Sequence, residues 1–363
     1  MTRVTLATAN TPGAVAIVQL HGEGVVDVLQ QLTGKADWQA RRVRLCHFAD
    51  IDEGLAVLLN DQAAQLMPHG GPRVVQKLIE HLTAKLGCAY DATPDAQALY
   101  PEANSPIEAD MLDAIARAAS PAAIDLLAAQ PALWAGLLKQ AGLSPTHARA
   151  ILERSRILDR LINPPTVVVV GPANVGKSTL TNALMGRSVS LVADLPGTTR
   201  DWVGALVELS ATGSTRDAVA VNWLDTPGLR TSDDAVEQRA IALARKQIAR
   251  ADVLIAMRDP EQDWPDASAL PREPDLWVVN KVDDTAETQH DWDGISPEKP
   301  LQISAANNRG IDRLQDVVVD RLGLSSFSPD TPWAFSGSLC DAIESCDLAM
   351  LARYCGAQSE HEA

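Results

Sequence analysis

Four short phrases along residues 171–306 hold residue types that can grip a nucleotide, and their order matters as much as their content. The first, Gly171-Pro172-Ala173-Asn174-Val175-Gly176-Lys177-Ser178, fits the pattern G-x-x-x-x-G-K-[ST]. It follows a β-branched run at residues 166–170 and continues through Thr179 into a stretch of helix formers. A strand, a glycine turn and a helix start aim backbone N–H groups and the positive end of a helix dipole at an anion. The glycines let backbone approach the phosphates closely. Lys177 would reach the β- and γ-phosphates, and the Ser178 hydroxyl would hold Mg²⁺. The second phrase, Asp225-Thr226-Pro227-Gly228, ends a strand-like run at residues 218–224. Its aspartate can bind a Mg²⁺-bound water, and its glycine N–H can meet the γ-phosphate. Alone, such a tetrapeptide is usually an ordinary turn. After a P-loop it is the expected second half.

Phosphate contacts do not separate ATP from GTP; the third phrase does. Asn280-Lys281-Val282-Asp283 follows a strand-like run at residues 276–279. A fixed Asp283 carboxylate accepts hydrogen bonds from both the ring N–H and the exocyclic amine of guanine. Adenine would leave that carboxylate unpaired, which is the costly arrangement. Lys281 can lay its alkyl stem along the base, and Asn280 can tie this loop to the P-loop. The fourth phrase, Ser304-Ala305-Ala306, offers a backbone N–H to guanine O6. Together the four imply one guanine-nucleotide site. Small signalling GTPases keep a water-orienting glutamine directly after the Asp-x-x-Gly phrase, and that position is Leu229 here. Either hydrolysis is poor or another polar group orients the water. Asp233, Asp234 and Glu237 follow in a helix-forming stretch, where an acid is by default a helix-start charge.

These phrases need a scaffold that gathers strand ends. Residues 164–324 suit a doubly wound α/β domain with a mostly parallel sheet, entered at Pro164-Pro165 and left through Ser325-Ser326 to Pro332. The whole chain, at 363 residues, has room for two or three domains. Ahead of the α/β domain, an alanine-rich amphipathic stretch to about residue 162 reads as helical, with breaks expected at Pro121, Pro131 and Pro145. The formal net charge of −16 opposes nonspecific RNA binding. The basic clusters Arg41-Arg42-Val43-Arg44 and Arg154 to Arg160 read first as solvated faces. The five cysteines are odd in number and lack C-x-x-C spacing, which points to a reducing cytosol rather than to disulfides or zinc. No apolar run has the length of a membrane span and no signal-peptide pattern opens the chain, so a cytoplasmic protein is expected.

Beyond the nucleotide phrases, the chain resembles the TrmE/MnmE family of tRNA-modification GTPases. The resemblance rests on Asn174 within the P-loop, on Pro196-Gly197-Thr198-Thr199-Arg200-Asp201, and on Asp225-Thr226-x-Gly228-Leu229-Arg230 followed by Val236-Glu237. It implies that Asn174 helps to hold a K⁺ ion, with carbonyls from Ala193, Asp194 and Leu195 and with Thr198. It implies that Thr199 completes the Mg²⁺ shell and that Glu237 orients the attacking water, beside Lys177 and Thr198 in catalysis. Hydrolysis is then expected to be K⁺-stimulated and coupled to pairing of two nucleotide domains, making a homodimer.

The resemblance extends, more weakly, to the rest of the chain. A strand is expected at residues 14–18, phrases close to the family's lie at residues 51–59 and at His69-Gly70-Gly71-Pro72, and a helix then carries Val74, Val75, Leu78, Ile79 and Leu82. Residues 107–115 resemble the start of the family's helical domain. The implied layout is an α+β N-terminal domain at 1–103, a short α-helical domain in two parts at 104–163 and 325–363, and the P-loop domain at 164–324 inserted between them. Where the family binds a formyl-tetrahydrofolate through an arginine and a glutamate, this chain has Gln19 and Gln65, and a family lysine falls near Pro101. Neutral amides do not replace such a charged pair at full strength. Cys355-Gly356-Ala357 stands near the family's cysteine-containing tail without its lysine. The expectation is a GTP-driven switch acting on an unidentified protein partner, its folate and tRNA chemistry lost. The alternatives are the full family role on tRNA with a flavoprotein partner, and a scaffold that binds GTP without hydrolysing it.

Overall fold

The structure, a computed structural model, describes residues 1–140, 142–186, 203–210, 217–226, 245–266, 268, 270–283, 300–325 and 328–356. The positions Ala193, Asp194, Leu195, Pro196, Gly197, Thr198, Thr199, Pro227, Gly228 and Glu237 lie outside the described residues. The chain divides into two compact units, one of residues up to Asp113 with those from Ala349, the other Ala114–Leu348.

The first unit is built on a six-stranded sheet, in the order β3-β4-β5-β2-β1-β6. The strands are β1 Arg3–Leu6, β2 Val18–His21, β3 Val43–Phe48, β4 Asp52–Asn60, β5 Ala63–Met67 and β6 Ala89–Tyr90. Alternation decides what each strand buries. Val4, Val18, Leu20, Ala64 and Leu66 join one apolar core with Val25 and Leu29 of helix α1 (Val25–Thr33) and Leu78 and Leu82 of helix α2 (Pro72–Ala84). Each of these valines and leucines contributes about 1.5–3 kcal/mol on burial. The intervening residues Arg3, Thr5, Gln19, His21 and Gln65 therefore share the other face, and Gln19 lies directly across the β2–β5 ladder from Gln65.

The strand expected at residues 14–18 is displaced: β2 starts at Val18, and Val15 makes only an isolated bridge to His69. Ala16 N–H donates to the carbonyl of Pro68, but Pro68 has no N–H to return, so the ladder is interrupted there and goes on only as isolated bonds between Gly13, Ala14 and Gly70. A second departure is at Pro131, which does not break its helix. Helix α5 runs unbroken over Ala122–Gln140. Proline withholds one N–H, the donor to the Leu127 carbonyl, and the helix continues past that single lost bond. Pro145, by contrast, opens helix α6 (Pro145–Ile162) behind the cap Ser144.

The second unit carries another six-stranded sheet, in the order β12-β11-β10-β7-β9-β8. Its strands are β7 Thr166–Val170, β8 Val203–Leu209, β9 Val219–Asp225, β10 Val253–Arg258, β11 Leu276–Val279 and β12 Leu301–Gln302. All pairings are parallel except β8 with β9, and β7 is central with four near-continuous buried valines. The chain runs from β7 out to β8 and β9 on one side, then returns to β10 on the other. That reversal puts a crevice at the carboxyl ends of β7 and β10. This is the α/β P-loop architecture.

Helical segments before and after this sheet pack together. Trp134 Nε1–H of α5 donates to the Trp333 carbonyl (3.2 Å), Trp333 N–H donates to Gln130 Oε1 (2.9 Å), and Ala334 N–H to the Ser155 hydroxyl of α6 (2.7 Å). The chain thus leaves the helical layer, forms the sheet and comes back.

Candidate functional site

The P-loop lies at the end of β7 and leads into helix α7 (Lys177–Met185), whose first turn has no side-chain cap. Its free N–H groups face the mouth of the crevice, where an anion satisfies them. Two glycines are demanded by neighbours as much as by any ligand. A Cβ on Gly171 would sit 2.1 Å from the Met257 carbonyl oxygen, and one on Gly176 (φ +94°) 2.3 Å from Asn280 Nδ2.

Lys177 is 8% exposed, and its ammonium donates to the Gly171 and Pro172 carbonyls at 3.1 and 2.9 Å. Burial pushes its pKa down, against the pull of nearby Asp225. The Ser178 hydroxyl donates to Asp225 Oδ2 at 2.5 Å, across from the adjacent strand β9. Asp225 is 8% exposed, and its other oxygen, Oδ1, is buried with no hydrogen-bond partner among the described residues. Burial raises its pKa although Ser178 and Lys177 both favour the anion. A hydroxyl and a half-satisfied carboxylate meeting beside a lysine form an oxygen-donor set that fits a small hard divalent cation. Thr226 anchors the strand end, its hydroxyl donating to the Val169 carbonyl at 2.8 Å. Asn174 and Thr179 are exposed, Asn174 in the left-handed region at φ +67°; Val175 is buried.

The base end is assembled from three segments. Asn280, 2% exposed, donates through Nδ2 to the Val175 carbonyl and accepts at Oδ1 from Ala305 N–H, both at 2.9 Å. It ties the P-loop to the loop after β12. Asp283 Oδ1 accepts from the Ser304 hydroxyl at 2.6 Å and from Asn307 Nδ2 at 3.0 Å, while Arg309 Nη1 donates to the Asp283 carbonyl at 2.8 Å. Paired backbone bonds between Ser304 and Arg309 close that loop, and Ala306 lies exposed within it. The Lys281 ammonium reaches Asp259 at 2.7 Å. The structure therefore brings Gly176, Lys177, Ser178, Asp225, Thr226, Asn280, Lys281, Asp283, Ser304 and Ala305 to one end of one sheet. It adds Asp259, Asn307 and Arg309, which the phrases did not name. Asp259 carried one signal, an acid at the end of an apolar strand, separated from the buried run at residues 253–257 by Arg258 alone, much as Asp225 ends β9.

In the first unit, Gln19 is fully buried; its Nε2 donates to the Ala98 carbonyl and its Oε1 accepts from Gln65 Nε2 at 3.0 Å. A polar cavity of about 940 Å³ opens beside them, lined by Arg3, His21, Asn60, Asp91, Asp95 and Tyr100 among others. Pro101 lines it too, whereas Gln19 and Gln65 do not. Cys355 is buried, and burial pushes its thiol up to about 11.

A parallel sheet with a P-loop at its switch point and a carboxylate-bearing base loop beside it defines a P-loop GTPase, a GTP-binding and GTP-hydrolysing enzyme. Residues 166–283 match the family model of the 50S ribosome-binding GTPases. The tRNA modification GTPase MnmE of Acidiphilium cryptum is 31% identical over 350 residues, covering 82% of this chain and 76% of that protein. That of Azoarcus sp. is 28% identical over 404 residues, covering 94% and 86%. The chain belongs to this MnmE family of tRNA modification GTPases. Among solved structures, Era of Aquifex aeolicus is similar at 24% identity and a TM-score of 0.31, over 49% of this chain and 63% of that one. Among the described residues no helix is long and apolar enough to cross a membrane.

Proposed function

We propose that this protein is a GTP-driven conformational switch whose hydrolysis is K⁺-stimulated and coupled to pairing of its nucleotide domains, and whose tRNA-modifying chemistry is lost. The observation that carries the loss is the closed amide chain Gln65–Gln19–Ala98. A folate carries a carboxylate tail and a ring that donates and accepts. The two positions that match the family's charged folate ligands carry no charge, and Gln19 is fully buried and bonded on both sides; the charges of the neighbouring cavity come from other residues, Arg3, Asp91 and Asp95. Cys355 supports the same reading, since a thiol with a pKa of about 11 offers little thiolate at neutral pH.

In this reading Lys177 and the α7 N-terminus hold the phosphates, and Asn280, Lys281, Asp283 and Ser304-Ala305-Ala306 select guanine. Ser178 and Thr199 hold Mg²⁺, with Asp225 beside them. Mg²⁺, when bound, neutralises charge on the β- and γ-phosphates. Asn174 supplies a K⁺ ligand together with Ala193, Asp194, Leu195 and Thr198, and K⁺ contributes charge where other GTPases use an arginine. Glu237 orients the water that Leu229 does not. Residues 1–103 form the α+β domain and 164–324 the inserted G domain, flanked by helical parts at 104–163 and 325–363. Two copies pair, and an unidentified protein partner in the cytosol reads the switch.

A second reading, tRNA modification at the wobble uridine with a flavoprotein partner, is favoured by the names and coverage of the relatives. Mass spectrometry of tRNA nucleosides from a strain lacking the gene separates the two. An unchanged profile, in a strain with no other relative of the family, supports the switch. Loss of the modified uridine sinks the proposal and restores the family chemistry.

A further inference from the structure

Asp259 is a buried carboxylate outside the four phrases, held by three donors. It follows β10 directly and is 3% exposed. Its Oδ2 accepts from the Lys281 ammonium at 2.7 Å and from Gln262 Nε2 at 3.2 Å, and its Oδ1 accepts from Glu261 N–H at 3.1 Å. The turn that carries these donors is itself pinned. Arg258 Nη1 donates to the Gln262 carbonyl at 3.0 Å, and the Arg258 guanidinium stacks 4.9 Å from the centre of the Trp264 ring. Burial by itself would raise the Asp259 pKa; the hydrogen bonds from Lys281 and Gln262 outweigh it and leave the group below the ordinary carboxylate value.

Lys281 leaves the end of β11, the parallel neighbour of β10, in the left-handed region at φ +62°. That conformation is uncommon for a residue with a side chain. Its side chain is 46% exposed although its ammonium is bound at one end. An ordinary surface lysine keeps its head in water and moves its stem freely. Here the charged tip is anchored in a buried acceptor while the stem stays accessible.

We infer that Asp259 is a positioning residue of the nucleotide site, fixing the Lys281 ammonium so that the lysine stem is already laid out as the platform for the guanine ring. This rests on the reading of Lys281 as the group that lies along the base. A free lysine gives up the rotamer freedom of a long flexible stem when ordered. Anchoring it before the nucleotide arrives removes that cost from binding. The pair is also sensitive to which partner is removed: without Lys281 the buried carboxylate loses its strongest donor, and without Asp259 the lysine swings into solvent.

The test is GDP binding by the full chain, followed with a fluorescent GDP, for the wild type, Asp259→Asn, Lys281→Met and the double variant. Asp259→Asn keeps the shape and removes the charge. It should weaken GDP about tenfold, mostly through faster release. In the Lys281→Met background the same change should add nothing. Inorganic pyrophosphate, which reaches only the P-loop, should compete equally well against every variant. Wild-type affinity in Asp259→Asn, or losses that multiply in the double variant, would overturn the inference while leaving Lys281 at the base. Unchanged affinity in Lys281→Met overturns the reading of Lys281 itself, and the inference with it. Should Asp259→Asn fail to fold, Asp259→Glu keeps the charge but shifts it by a methylene, and the same double-variant comparison applies.

Discussion

Each six-stranded sheet holds a pair of polar side chains cross-linked between strands or their extensions, Gln19 with Gln65 in one unit and Ser178 with Asp225 in the other, and the two pairs are finished differently. The Gln19 amide is used on both sides, accepting from Gln65 and donating to Ala98. Asp225 accepts from Ser178 through one oxygen and leaves the other buried without a partner among the described residues, beside a lysine that leans on two backbone carbonyls. A closed polar pair stabilises a fold and has little left to offer a ligand. A half-satisfied buried charge costs stability until something binds it. By that criterion the second unit keeps a working site, and the Gln19–Gln65 pair belongs to the framework of the first.

The largest expected effect follows from removing the charge of the open pair. Asp225→Asn keeps the shape and can still accept from Ser178, yet it should cut GTP hydrolysis at least about a hundredfold. It should not lower the melting midpoint of the nucleotide-free protein. The sign follows from the raised pKa: a carboxyl whose folded value is raised costs stability once pH rises through its unfolded value near ~3.9. At neutral pH the wild type carries that cost and the amide does not. A fall in midpoint as large as that of an ordinary core substitution would mean that the pair is structural after all.

A smaller effect separates the ions. Replacing K⁺ by Na⁺ at equal ionic strength should slow hydrolysis about tenfold, and Asn174→Ala should abolish the difference. Equal rates in the two salts, measured on the wild type, would remove K⁺ from the account while leaving the Asp225 argument intact.

The parts of this site that were legible in the sequence are those whose geometry is local. Gly176, Lys177 and Ser178 reach their places because a strand, a turn and a helix start follow one another without interruption. Asn280 to Asp283 need only the end of β11. What stayed hidden depends on segments that meet only in the fold. Asp259 lies 22 residues from Lys281, and parallel pairing of β10 with β11 makes them neighbours. Asn307 is chosen by the closure of the loop at Ser304 and Arg309. In α5, Pro131 looked like a break because proline withholds an N–H; only the bond to the Leu127 carbonyl is lost, and Gln130 beside it pins the helix to the returning chain by accepting from Trp333 N–H. At β2 the error ran the other way, since the regular ladder of a β-branched run is interrupted where Pro68 stands opposite. The full burial of Gln19 is a third such case, because its neighbours Val18 and Leu20 mark only the opposite face.

The closed pair predicts the reverse of the open one. Gln19→Ala removes a fully buried amide, leaves the Ala98 carbonyl and the Gln65 amide without their partner, and opens a small void on the sheet face. Losses of that kind cost about 2–3 kcal/mol. For a unit of this size that is a drop of roughly 10 °C or more in its own transition, which calorimetry would read as movement of one thermal transition and not the other. GTP hydrolysis, measured well below the shifted midpoint, should stay within about twofold of the wild type, because no group at the nucleotide has changed. A tenfold loss of hydrolysis in Gln19→Ala would erase the division drawn between the two sheets. The amide chain would then have to be read as part of how the switch works, since a bond that only holds a fold together has no means of reaching the chemistry at Asp225.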